Sequence, residues 1–128
     1  MGGAGMAGQK KKLEAELSEA LIKLQRELIG RGPQETKTYI VQDMVIVRFK
    51  GVMTVEEKHL AGHKDGRKLV KEMRQVLREM YSNQFEEIVQ KHTGCKVLSS
   101  HSDMSTKTGE RIEIFVIDRN LEKDMTAD

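Results

Sequence analysis

His101 and Asp103 stand two residues apart ahead of Ser105, Thr106 and Thr108, so one short stretch gathers an imidazole, a carboxylate and three hydroxyls. Such a set supplies donors, acceptors and a group that titrates near neutrality, the inventory for holding a small anion or polar ligand. Two-residue spacing also puts His101 and Asp103 on one face of a strand, as a general base and its orienting carboxylate would need, although no nucleophile accompanies them. The same side chains have a plainer use, because Asp, Ser and Thr close turns by bonding their own backbone. Turn chemistry alone accounts for the residue types, and no catalytic residue is assigned.

Arg31 lies between two glycines in Gly30-Arg31-Gly32-Pro33. Successive N–H groups in such a bend can form an anion nest that the guanidinium closes, but no Lys-Ser/Thr ending follows and no helix begins, so this is not a phosphate loop. Gly and Pro routinely end helices, which is the simpler account. Arg31 and the His101–Glu110 loop together form the candidate ligand-binding set. His59 and His63 have the four-residue spacing of a helical metal pair, yet Leu-Ala-Gly separates them and no third ligand is evident, so no metal site is expected. Cys95 follows His92 but lacks an oriented base, and a lone cysteine entering a strand is a small core residue. Glu56-Glu57 and Glu86-Glu87 are helix neighbours that point apart and form no acid/base pair. No cofactor is implied.

These residues must be positioned by a small set of elements. Leu13, Leu17, Leu21, Leu24 and Leu28 recur every three or four residues, a stripe along a first helix that Gly30 and Pro33 terminate. The stripe suits an intramolecular core or a seam with a partner helix. Thr36–Gln42 and Met44–Lys50 read as a tight hairpin. Val45, Val47 and Phe49 share one face, while Met44 and Ile46 share the other with Arg48, so both sides carry apolar weight and the second needs a cover, from the first helix or a second subunit. Thr54-Val55-Glu56-Glu57 is a capping box opening a short helix. Gly62 and Gly66 each lower helix propensity by about 1 kcal/mol, placing a break between His59 and Arg67. A long helix follows with a predicted core stripe of Leu69, Val70, Met73, Val76, Leu77, Met80, Phe85, Ile88 and Val89, ending at Gly94. Cys95–Met104 and Arg111–Asp118 form a second hairpin with Ile112, Ile114 and Val116 directed to the core. The expected fold is α+β, an antiparallel sheet of two hairpins with helices packed on it in the order α-β-β-α-α-β-β. Residues 1–9 form a flexible Gly-rich leader, 10–118 a single domain and 119–128 a frayed tail.

A chain of 128 residues with 22 basic and 20 acidic side chains carries a net +2, too mixed for a nucleic-acid footprint. Lys10, Lys11 and Lys12 are soon cancelled by Glu14, Glu16 and Glu19. A single cysteine excludes an internal disulfide and suits a reducing compartment, so a cytoplasmic location is expected. No apolar run approaches the roughly 18 residues of a membrane span, and direct insertion is not expected.

Two stretches carry a family resemblance: Gly30 to Pro33 with Tyr39 to Arg48, and His101 to Glu110 followed by the strand containing Phe115. With Gly51 to Leu60 and Gly66-Arg67, they resemble a family of small bacterial proteins once called a domain of unknown function and now named after MpsC. The resemblance spans roughly Leu13 to Ile117. It implies association with a membrane-potential or inorganic-carbon (bicarbonate) transport system in which this type of subunit is the soluble one, with a membrane transport protein as partner. It supplies no catalytic residues to carry over. The expectation is therefore a non-catalytic accessory or interaction protein, homodimeric through the first helix or the exposed sheet surface. The alternatives are a small-anion module built on the two loops and an enzyme built on His101 and Asp103.

Overall fold

The computed structural model describes residues 2–126, with side chains from residue 8. The elements run α1 (Gly2–Ile29), β1 (Glu35–Val41), β2 (Met44–Lys50), α2 (Val55–Leu60), α3 (Lys64–Thr93), β3 (Val97–Met104), β4 (Arg111–Ile117) and α4 (Leu121–Thr126). This is the α+β order expected from the sequence, extended by one C-terminal helix. The four strands form one antiparallel sheet ordered β1-β2-β4-β3, so the two hairpins join through their second strands.

Local chemistry sets the boundaries. Gly30 ends α1 in the left-handed region at φ 81° with its N–H on the Arg26 carbonyl, and Gly94 ends α3 in the same way at φ 69°. The Thr54–Glu57 capping box forms in both directions at the start of α2. Chain between Leu60 and Lys64 breaks the two helices apart where Gly62 and the approach to Gly66 predicted it. In the β1–β2 turn Gln42 takes the left-handed conformation (φ 56°), as a two-residue hairpin demands.

Leu17, Leu21 and Leu24 of α1 are buried with Ile40, Val45, Val47, Phe49, Phe115 and Ile117 of the sheet and with Val70, Phe85 and Val89 of α3. The leucine stripe is thus consumed inside the molecule, and it is not a free seam for a partner helix. Both long helices pack on the same face of the sheet. The opposite face is formed by three cross-strand rows: Val41–Met44–Val116–Ser99, Tyr39–Ile46–Ile114–His101 and Lys37–Arg48–Ile112–Asp103.

Four expectations change. First, β4 turns its other side inward: Arg111, Glu113, Phe115 and Ile117 are buried, while Ile112, Ile114 and Val116 are half-buried on the outer face. Second, on α3 the buried line is Gly66, Val70, Arg74, Arg78, Phe85, Val89 and Thr93, whereas Leu69, Met73, Val76 and Met80 are 46–64% exposed. Both reversals have one cause: Arg74, Arg78 and Arg111 find Glu57, Glu113 and Gln25 inside, so charged positions face the core as hydrogen-bonded sets. Third, Leu121–Thr126 is helical where a frayed tail was expected. Leu121 is buried, Met125 packs against the core, the Asn120 side chain accepts from the Lys123 N–H and Glu122 accepts from the Gln42 N–H. Fourth, α1 takes in Gly2–Gln9, the stretch read as a leader, since a helix once nucleated gains one hydrogen bond per added residue.

Candidate functional site

Five charged side chains converge between α2, α3 and β4. Arg74 is held by Glu57 through two bonds, Nε to Oε2 at 2.7 Å and Nη2 to Oε1 at 2.6 Å, and its Nη2 also donates to the Val52 carbonyl at 2.7 Å. One turn further along α3, Arg78 donates from Nε to Glu113 Oε1 at 2.7 Å. Arg111 reaches Gln25 of α1 from Nη2 at 3.2 Å and places its Nε 3.2 Å from Glu113 Oε2, out of line for a hydrogen bond. All five are at least nine-tenths buried. Phenyl faces complete the setting: Arg78 lies 4.9 Å from the Phe85 centroid and Arg111 5.0 Å from that of Phe49.

The electrostatics follow from this packing. Burial pushes the Arg111 guanidinium below its ordinary value; Glu113 opposes that, and the Arg74 and Arg78 charges add to it. Burial alone would raise the Glu57 carboxyl, but hydrogen bonds from Arg74 and the Thr54 N–H, with the Arg74 charge, hold it below its usual range. Among the described residues Arg74 Nη1, Arg78 Nη2, Arg111 Nε and Glu113 Oε2 have no hydrogen-bond partner. A cavity of about 530 Å³ adjoins the cluster, lined by all three arginines with Val76, Ser102 and Met104 among others.

Of the ligand-binding residues singled out in the sequence, Asp103 stands at the lining of this cavity, and Arg31, His101, Ser105, Thr106 and Thr108 lie elsewhere. Arg31 donates from Nη1 to the Met53 carbonyl at 3.0 Å. The β3–β4 turn abuts the same segment, since the Val52 N–H donates to the Gly109 carbonyl. Arg31 and the loop thus share one end of the molecule, with the guanidinium engaged on backbone. Ser105 Oγ accepts from the Lys107 and Thr108 N–H groups at 3.2 Å each, and Thr108 Oγ1 accepts from the Glu110 N–H at 3.3 Å. Thr106 lines a second cavity, of about 670 Å³, with Met53, Lys58, Arg67 and Lys107. His101 is exposed on the outer sheet face with Nε2 3.2 Å from Ser99 Oγ, and Asp103 meets Lys71 Nζ at 3.4 Å. Cys95 is buried with Sγ on the Thr93 carbonyl. Among the described residues no group of three or more His, Cys, Asp or Glu is placed to hold a metal, and no helix is long and apolar enough to cross a membrane.

Sequence reasoning passed over the arginine cluster because charged positions were assigned to solvent. A signal was present: Val70, Arg74 and Arg78 share the i, i+4 line that continues to Phe85 and Val89, and Arg111 and Glu113 alternate with Phe115 and Ile117.

Comparison with known proteins gives a consistent family. The chain is 37% identical over 120 residues to the uncharacterized protein YbcI of Bacillus subtilis (strain 168), covering 94% of this chain and 97% of that one. It is 27% identical over 113 residues to the uncharacterized protein YrhF of the same organism, covering 88% and 93%. No solved structure matches significantly. Residues 9–119 match the profile described as "Na+-translocating membrane potential-generating system (MpsC)", and the chain therefore belongs to the MpsC family.

Proposed function

We propose that this protein is a non-catalytic accessory subunit of a bacterial membrane-potential system, working in the cytoplasm as a homodimer joined along the outward stripe of α3. The observation that supports it is the exposure of Leu69, Met73, Val76 and Met80 on a helix whose other face is already packed. Their spacing of 4, 3 and 4 residues reads the same in both directions. A two-fold axis crossing the helix between Arg74 and Gln75 would therefore set Leu69 against Met80 of a second copy and Met73 against Val76, the self-complementarity that an isologous contact needs. The stripe is about 16 Å long, at 1.5 Å per residue over eleven residues. So short a seam favours a reversible dimer over an obligate one. Family membership supports the link to a membrane-potential system, and on this reading the partner is a membrane transport protein.

The test is complementation. In a bacterium lacking its copy of this gene, a potentiometric dye should report a reduced membrane potential that the wild-type chain restores. Met73→Glu with Val76→Glu should be produced at normal levels and fail to restore it. Full restoration by that variant would remove the stripe from the function.

A further inference from the structure

The buried arginine cluster is not charge-balanced. Among the described residues, the buried charged partners of Arg74, Arg78 and Arg111 are Glu57 and Glu113, which leaves one positive charge in excess among side chains no more than 7% exposed; Lys71, Glu72 and Asp103 also line the cavity but are exposed to solvent. An uncompensated buried charge is costly, and Arg74 Nη1 and Arg78 Nη2 add donors with no partner among the described residues, while Arg111 Nε and Glu113 Oε2 face each other at 3.2 Å without a hydrogen bond. Nothing in the outer stripe of α3 accounts for either feature. All three arginines line the 530 Å³ cavity, whose walls also include Val76, Met104 and Ser102.

We propose that this cavity binds a small organic monocarboxylate, its head on the arginine cluster and its apolar body along Val76 and Met104. One negative charge cancels the excess, whereas a dianion would overshoot it. Guanidinium forks match the two oxygens of a carboxylate, and desolvated surroundings strengthen the charge-assisted bonds. The volume falls in the range of about 300–1,000 Å³ that accommodates small organic ligands and exceeds what a bare inorganic ion requires. Ser102, on the edge strand β3, is a lining residue whose side chain can supply a hydroxyl donor.

The experiment uses the full chain and three probes: octanoate, octanol and inorganic phosphate. Calorimetry is paired with nuclear magnetic resonance of the backbone amides and the arginine Nε–H groups. Octanoate should bind saturably and shift Val76, Ser102, Met104 and the arginine Nε–H signals. Octanol should bind at least about tenfold more weakly, for want of the charge-assisted bonds. Phosphate should leave the cavity signals unmoved. Ser102→Glu places a tethered carboxylate at the wall and should lower octanoate affinity by roughly tenfold or more. Gln75→Glu, an exposed substitution on the rim that keeps the fold, should weaken octanoate and leave octanol unchanged. Equal binding of octanol and octanoate would overturn the proposal, as would shifts confined to Leu69, Met73 and Met80. Unchanged octanoate affinity in Gln75→Glu and in folded Ser102→Glu would overturn it too.

Discussion

Glu57 does two jobs with one carboxylate. Its Oε1 accepts from the Thr54 N–H to complete the capping box while the pair of oxygens holds Arg74, so the start of α2 and the middle of α3 are locked together. Replacing it by Gln leaves a buried guanidinium without its counter-charge, and the expected loss is about 3–5 kcal/mol in chemical denaturation. Thr54→Ala removes only the neutral cap bond and should cost about 1 kcal/mol. The pH dependence has a defined sign. Because the folded carboxyl lies below its ordinary 4.5, its contribution is fully present above about that value and is lost as pH falls through the lowered one. Urea midpoints measured from pH 6 downward should therefore decline below about pH 4.5 in the wild type, with a shallower decline in Glu57→Gln. Equal slopes for the two proteins would mean that Glu57 ionisation is not coupled to folding.

Helix α3 carries two stripes, and their assignment to inside and outside is the main thing the sequence concealed. The nine apolar positions Leu69 to Val89 cover more than one face, and counting hydrophobic residues favours the Leu69–Met73–Val76–Met80 side. The fold instead buries Val70, Phe85 and Val89 with two arginines, because the acceptors they require sit on β4 and α2. Those acceptors are distant in sequence, so only the assembled fold reveals the pairing. Features governed by neighbours were legible: the capping box, the glycine stops, both hairpins and the break before Lys64 all rest on contacts within a few residues. Likewise the turn chemistry of Ser105 and Thr108 was readable, whereas the burial of Arg111 and Glu113 inverted the expected face of β4. Two substitutions separate the stripes. Phe85→Ala should cost about 3–5 kcal/mol, while Met73→Glu with Val76→Glu should change monomer stability by less than about 1 kcal/mol. Gly66→Ala offers a sharper case. An alanine would ordinarily stabilise a helix by about 1 kcal/mol over glycine, but a Cβ here would sit 1.9 Å from the Leu60 carbonyl oxygen. The melting temperature of Gly66→Ala should fall, and a rise would show that the α2–α3 junction relaxes freely.

At the scale of the whole molecule, helices cover one face of the sheet and leave apolar surface on two sides: the α3 stripe and the outer rows containing Tyr39, Val41, Ile46 and Ile114. Apolar patches of this kind mark interaction surfaces in otherwise polar proteins. The α3 side is the more exposed, and its palindromic spacing favours a second copy. Under the proposed function, the outer sheet face is the surface left for a different protein. Cys95 is buried, which leaves engineered surface cysteines free of interference. The most direct measurement is oxidation of the Leu69→Cys/Met80→Cys double variant, with molar mass read by light scattering across a concentration series. The account predicts a reversible dimer in the wild type and a covalent dimer in the double variant, closed by Cys pairs between position 69 of one copy and position 80 of the other. A strict monomer at high concentration, with no cross-linked species on oxidation, would contradict it.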